Sequence, residues 1–160
     1  MAWVTPTSVA TGDVLTASTW NQDVVANSIA LPRGIMGYAQ ATANQAGITT
    51  VVDLTGISVT FTAQSTRYYR TTFYTFSVVQ ATSNSFPEIR ITDGSNVQKQ
   101  SGVFLLSAGS QAPYSISVVE TGLSGSVTRK ARATVPAGSM TVAASSTSPM
   151  FIVVEDIGAA

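Results

Sequence analysis

Between Ile57 and Thr62 the chain alternates apolar and hydroxyl residues without a break: Ile57, Val59 and Phe61 against Ser58, Thr60 and Thr62. Successive side chains of a strand point to opposite faces, so a period of two describes a half-buried β-strand and fits no helix. The same signature recurs down the chain. Arg67 to Val79 is long and aromatic, with Tyr68, Tyr69, Phe73, Tyr74 and Phe76 set among threonines, and Ile89 and Ile91 lead into the turn pair Asp93-Gly94. Further strands are expected at Gly34–Ala41, Ile48–Val52, Val103–Leu106, Tyr114–Val119, Val127–Val135, Met140–Ala144 and Met150–Val154. Turn residues separate them, at Ala43–Gly47, Thr55-Gly56, Gly122–Gly125 and Pro136–Gly138.

Eight to ten strands with no helices between them predict an all-β, antiparallel β-sandwich rather than βαβ units. Two packed sheets of four or five strands in a jelly-roll order fit best. An immunoglobulin-like sandwich is the second choice, because it needs fewer strands. No internal repeat is visible, which argues against a propeller or β-helix.

Residues 1–33 read differently from residues 34–160, and the division predicts an N-terminal arm ahead of a β-domain. In the arm, Thr16 to Leu31 carries the helical pattern. Thr16 or Ser18 serves as N-cap and Pro32 forces a stop. Trp20, Val24, Asn27 and Leu31 fall at intervals of four, three and four, with Val25 and Ile29 in an adjacent stripe. Such a helix either packs on its own β-domain or docks its apolar face onto another chain.

Charged residues are only 10% of the 160, and eight basic side chains cancel eight acidic ones. The one basic cluster is Arg129, Lys130 and Arg132, too little for a surface that tracks phosphates, so no nucleic-acid partner is expected. No run approaches the roughly 20 apolar residues of a membrane span, and no membrane insertion is expected. The opening Met1–Pro6 lacks the basic and apolar regions of a signal peptide. Histidine and cysteine are both absent, which removes the commonest general base, the usual metal ligands and any disulfide framework. Asp13, Asp23, Asp53, Glu88, Asp93, Glu120, Glu155 and Asp156 are scattered, and the adjacent pair Glu155-Asp156 points to opposite faces of a strand. No enzyme, cofactor or metal site is expected. A pair assembled across strands, such as Glu88 with Glu120, is the best catalytic counter-candidate.

The aromatic strand suggests recognition. Tyr68, Tyr69, Arg70 and Tyr74, with Asn84 and Arg90, have the makings of a face that stacks on sugars. The competing reading places these aromatics in the core or at a subunit interface, where tyrosine is also enriched.

The most distinctive run is Trp3-Val4-Thr5-Pro6-Thr7-Ser8-Val9-Ala10-Thr11-Gly12-Asp13-Val14-Leu15-Thr16-Ala17-Ser18-Thr19-Trp20-Asn21. It resembles the opening of small virion structural proteins of tailed bacteriophages: a Trp near the start, then Thr-Gly-Asp-(Val/Ile)-(Leu/Ile)-Thr-Ala-x-x-Trp-Asn and a short helix. The close, Phe151-Ile152-Val153-Val154-Glu155-Asp156-Ile157-Gly158, is similar to the end of those chains, with Ala159 where a Pro is frequent. Between them the likeness is one of style, with an Arg-x-Tyr strand start at Arg67. The resemblance implies a non-catalytic particle protein made in the host cytoplasm and carried in the virion, bound to capsid, neck or tail proteins. Trp3, Asp13, Trp20, Val24 and Leu31 are then the anchoring residues. Large aromatics on a segment too poor in apolar residues to form a core commonly bury against a partner. Fibre-like members of the family imply a homo-oligomer, a trimer. A host surface glycan is the alternative partner, through Tyr68, Tyr69, Arg70 and Tyr74.

Overall fold

The computed structural model describes residues 5, 11, 12, 14, 16–81 and 84–160. Trp3 and Asp13 lie outside the described residues. Among the described residues, ten strands follow one helical segment: β1 (Gly34–Ala41), β2 (Gln45–Ile48), β3 (Val52–Ala63), β4 (Arg67–Gln80), β5 (Glu88–Asp93), β6 (Gln98–Val103), β7 (Gln111–Glu120), β8 (Gly125–Thr134), β9 (Met140–Ala143) and β10 (Met150–Ala159).

All pairings are antiparallel. The smaller sheet runs β3-β8-β5-β6. In the larger one the long β4 pairs β7 along one side. Along its other side it pairs β10 through residues 67–74 and β9 through residues 77–80. Strand β1 then flanks β10, and β2 flanks β9. Without the short β2/β9 pair the orders are β1-β10-β4-β7 and β3-β8-β5-β6. The chain crosses between sheets at every connection of those eight strands except β5–β6, which is the jelly-roll order. The expected sandwich holds, with a six-strand and a four-strand sheet rather than two of four or five. The difference is β2 and β9, which extend the larger sheet past the end of β10.

Alternation decides which residues line the core. Along β4, Arg67, Tyr69, Thr71, Phe73, Thr75 and Ser77 are buried while Tyr68, Arg70 and Phe76 are exposed. Ile57, Phe73, Ile89, Ile91, Ile152 and Val154 are wholly buried between the sheets, and Tyr69 packs its ring 5.2 Å from that of Phe61. Two strand expectations shift. The one at Ile48–Val52 is split, Ile48 ending β2 and Val52 opening β3, and the turn expected at Thr55-Gly56 is a register shift inside β3 between Asp53 and Ser58. The Val103–Leu106 strand lies earlier, at β6, because the Asp93-Gly94 turn sends the chain straight back along β5. Leu106 keeps a single bridge to Ser85.

The helical segment opens with α1 (Ala17–Trp20), capped by the Thr16 hydroxyl, which accepts from the Thr19 N–H at 3.2 Å. A π-helical stretch (Asn21–Ala26) and a last α-helical turn, α2 (Asn27–Ala30), complete it. The α-helical spacing behind the two predicted stripes therefore does not run through the middle of the segment.

Candidate functional site

Two surfaces carry the residues singled out by the sequence. The first is the root of the arm. Trp20, Val24, Val25, Ile29 and Leu31 are all between 40% and 52% exposed, so these apolar residues of the helical segment are only partly covered. Asn27 is the buried member, its amide donating to the Asp23 carbonyl at 3.1 Å. Contact with the β-domain is made by α2 against β10.

That contact is held by Arg67, the first residue of β4 and almost fully buried. Its guanidinium pairs with the buried Asp156 carboxylate of β10, through Nε to Oδ2 and Nη2 to Oδ1. The same group donates from Nη1 to the Ile29 carbonyl and from Nη2 to the Leu31 carbonyl at 2.5 Å. Asp156 also accepts from the Gly158 N–H at 3.0 Å. Burial pushes the Asp156 carboxyl up. The hydrogen bonds from Arg67, Gly158 and the Arg33 N–H, with the charge of Arg67, outweigh that and hold it below the usual carboxylate range.

The second surface is the outer face of the larger sheet. Alternation sends Tyr68, Arg70, Thr72, Tyr74 and Phe76 outward from β4. Register sets Phe151 of β10 beside Tyr74 and Gln40 of β1 beside Phe151, with Tyr38 one outward position along β1. The rings of Tyr38, Phe151 and Tyr74 form a continuous band, with centroids 5.8 and 5.4 Å apart. Around it lie the Arg70–Glu155 ion pair at 2.9 Å and the Thr72–Ser117 hydroxyl pair at 2.8 Å. Arg70, Tyr68 and Tyr74 are thus together, as the sequence suggested. Tyr69 is not: the period of two turns it inward, where it is 2% exposed and its hydroxyl accepts from the Gln64 N–H. Asn84 lies in a loop, accepting from the Ala108 N–H, and Arg90 is on the other sheet, paired with Glu88. Tyr38 and Phe151 were missed because their strands show no aromatic run. The outward phase of Phe151, Val153 and Glu155 in β10 is the signal that finds the latter.

The outer face of the smaller sheet differs in kind. It carries Lys130 and Arg132 on Asp53 and Arg90 on Glu88, with Lys99 on Asp93 at one end. The counter-candidate pair Glu88 and Glu120 is divided between partners. Glu88 is held by Arg90 at 2.6 Å, which lowers its pKa first by that hydrogen bond, and Glu120 by Arg129 at 2.7 Å. No group of three acidic residues able to hold a metal ion occurs among the described residues, and no helix among them is long and apolar enough to cross a membrane.

No family model and no curated protein matches the chain. Solved structures similar to it include the carbohydrate-binding module of a Cellvibrio mixtus lichenase in complex with cellotriose, at 15% identity over 75% of this chain and 96% of that one, with a TM-score of 0.38. A structure of infectious bursal disease virus matches at 12% identity over 80% of this chain and 39% of that one, TM-score 0.37. The enzymatically active domain of tailspike protein 4 from bacteriophage CBA120 matches at 12% identity over 75% of this chain and 19% of that one, TM-score 0.28. At these levels the likeness is to a sandwich of β-sheets and carries no argument about ligand or role.

Proposed function

We propose that this chain is a structural component of a tailed-phage virion, attached to capsid, neck or tail through its N-terminal arm and presenting the jelly roll as decoration or fibre. The observation that carries the reading is the helical segment. It is fixed to the β-domain at its C-terminal end while Trp20, Val24, Val25, Ile29 and Leu31 stay available to a partner. Partly exposed apolar residues of this kind on a short segment are what a docking element presents. The experiment is particle incorporation. About half of the Trp20 indole is exposed, on the order of 100 Å², and burying it contributes roughly 2 kcal/mol to docking. Trp20→Ala is therefore expected to cut occupancy in purified particles at least tenfold at limiting protein, with the β-domain melting unchanged. Equal occupancy of mutant and wild type removes this assignment.

The aromatic band supports a second role for the β-domain, as an interface. A nearly neutral face with one self-compensated ion pair packs against a second copy without like-charge repulsion, in keeping with the homotrimer that the resemblance implies. The same rings, flanked by Arg70, Glu155 and hydroxyls, suit stacking on a host glycan as the alternative. Sedimentation of Tyr74→Ser and Phe151→Ser beside a glycan array of the wild type separates the two. Loss of the oligomer supports the subunit interface, and saturable sugar binding lost in both variants supports the glycan.

A further inference from the structure

We propose that Arg67 and Asp156 form a latch that sets the direction in which the arm leaves the β-domain. An ion pair this buried is not explained by stability. Removing two charges from water costs about what their attraction returns, and apolar residues of similar size often do as well or better. What the pair does here that an apolar pair does not is donate outward. The last carbonyls of a helix have no partner within it, and Nη1 and Nη2 of the guanidinium take up that of Ile29 in α2 and that of Leu31 just beyond it while Nε and Nη2 hold Asp156. On the far side of the helix end, Asp156 accepts from the backbone of Arg33.

The strand is shaped for this. A register shift in β10 between Asp156 and Gly158 leaves Ile157 with no opposite residue in β4. Gly158 has φ of +128°, and a Cβ placed there lies 3.4 Å from the Ala30 carbonyl oxygen. The helix end thus rests on bare backbone. Just beyond the latch, Gly34 at φ +78° turns the chain into β1, so residues 32–34 are the pivot that the latch immobilises. Arg67 and Asp156 are positioning residues, and the inference rests on the arm being the docking element proposed above.

The test is hydrogen exchange on the full-length protein carrying Arg67→Met together with Asp156→Leu, which leaves no charge unpaired. A second variant, Arg67→Lys, keeps the charge and loses the fork. Both are expected to hold wild-type protection in β4 and β10 while amides of residues 17–33 exchange about tenfold faster or more, the factor one charge-assisted hydrogen bond is worth. Unchanged protection of the arm in either variant overturns the latch. So does loss of protection throughout the sandwich in both, since the pair then serves the core. Particle incorporation is scored separately through Trp20→Ala, so failure of the docking reading leaves the exchange result standing.

Discussion

Strand β1 carries the arm into the sandwich, and its seat is open to a clean test at Gly37. A Cβ built on Gly37 lies 2.3 Å from Cγ1 of Val59, a buried residue of β3 on the opposite sheet, and 3.7 Å from its Cβ. Gly37 is outside the left-handed region, so alanine meets no backbone obstacle and one methyl is all that stands in its way. Gly37→Ala is therefore an overpacking change, expected to cost about 1–3 kcal/mol. Val59→Ala deletes two buried methyls, and about 2 kcal/mol is expected for the lost burial and the space left behind. In the double variant the new methyl at 37 enters the volume vacated at 59 and sits 3.7 Å from the remaining Cβ, an ordinary contact. The two losses should then fall short of additivity by about 1–2 kcal/mol. Equilibrium urea unfolding followed by far-ultraviolet circular dichroism measures this, at one fixed protomer concentration because any self-association adds to apparent stability. A coupling within about 0.5 kcal/mol of zero would refute the packing of β1 over β3.

Acid lability follows from the carboxylates. Asp53, Glu88, Asp93 and Asp156 are all held below their ordinary pKa, by Lys130 for Asp53, Arg90 for Glu88, the Val97 N–H for Asp93, and for Asp156 by hydrogen bonds that outweigh its burial. Depressed folded values mean that the unfolded chain binds protons first. Stability is then complete above about pH 5 and declines as pH falls through about 4 and below. With no histidine, urea midpoints should be level between about pH 6 and 8, and a fall within that interval contradicts the assignment. We also predict no turnover. Purified protein should release no reducing sugar from host capsule, peptidoglycan or lipopolysaccharide with or without divalent metal, since a general acid needs a raised pKa and Glu88 has the reverse. Release that disappears in Glu88→Gln or Glu120→Gln would overturn this.

The fold was legible where one face of a strand is buried and the other wet. Ile57, Val59 and Phe61 in β3, and the odd-numbered residues from Arg67 to Ser77 in β4, print the sandwich directly in the order of residue types. Sheet size was not legible. Adding β2 and β9 to the larger sheet depends on four-residue strands whose pairing is set by what lies across from them. The same limit hid half of the aromatic band. Tyr74 stands out in its own strand, whereas Tyr38 and Phe151 become its neighbours through the register of β1 on β10 and β10 on β4. Tyr69 marks the opposite error. In a strand that is aromatic on both faces, composition names the residues and only the phase sorts them, and the phase is fixed by Phe73 in the core two positions past Thr71.

The distinctive segments of the sequence are far apart along the chain, and the fold gives a physical reason for their coexistence. The helical segment that contains Trp20-Asn21, the Arg67-x-Tyr69 strand start and the closing Glu155-Asp156-Ile157-Gly158 are far apart in sequence and share no local interaction. The antiparallel pairing of β4 with β10 sets the start of one beside the end of the other, Arg67 opposite Ala159 and Arg70 opposite Glu155. Three residues of the close then have tasks of their own. Glu155 turns outward to Arg70, Asp156 turns inward to Arg67, and Gly158 takes the positive φ at which the backbone passes the Ala30 carbonyl. A change at Asp156 reaches the other two segments through Arg67. Asp156→Asn, which keeps the shape and removes the charge, leaves a buried guanidinium facing a neutral amide and two helix-end carbonyls. Breaking a buried pair from one side costs about 3–5 kcal/mol. The urea midpoint should fall accordingly, and adding Arg67→Met should recover most of the loss by removing the stranded charge. If the double variant is as unstable as Asp156→Asn alone, the pair is not the element that joins these segments.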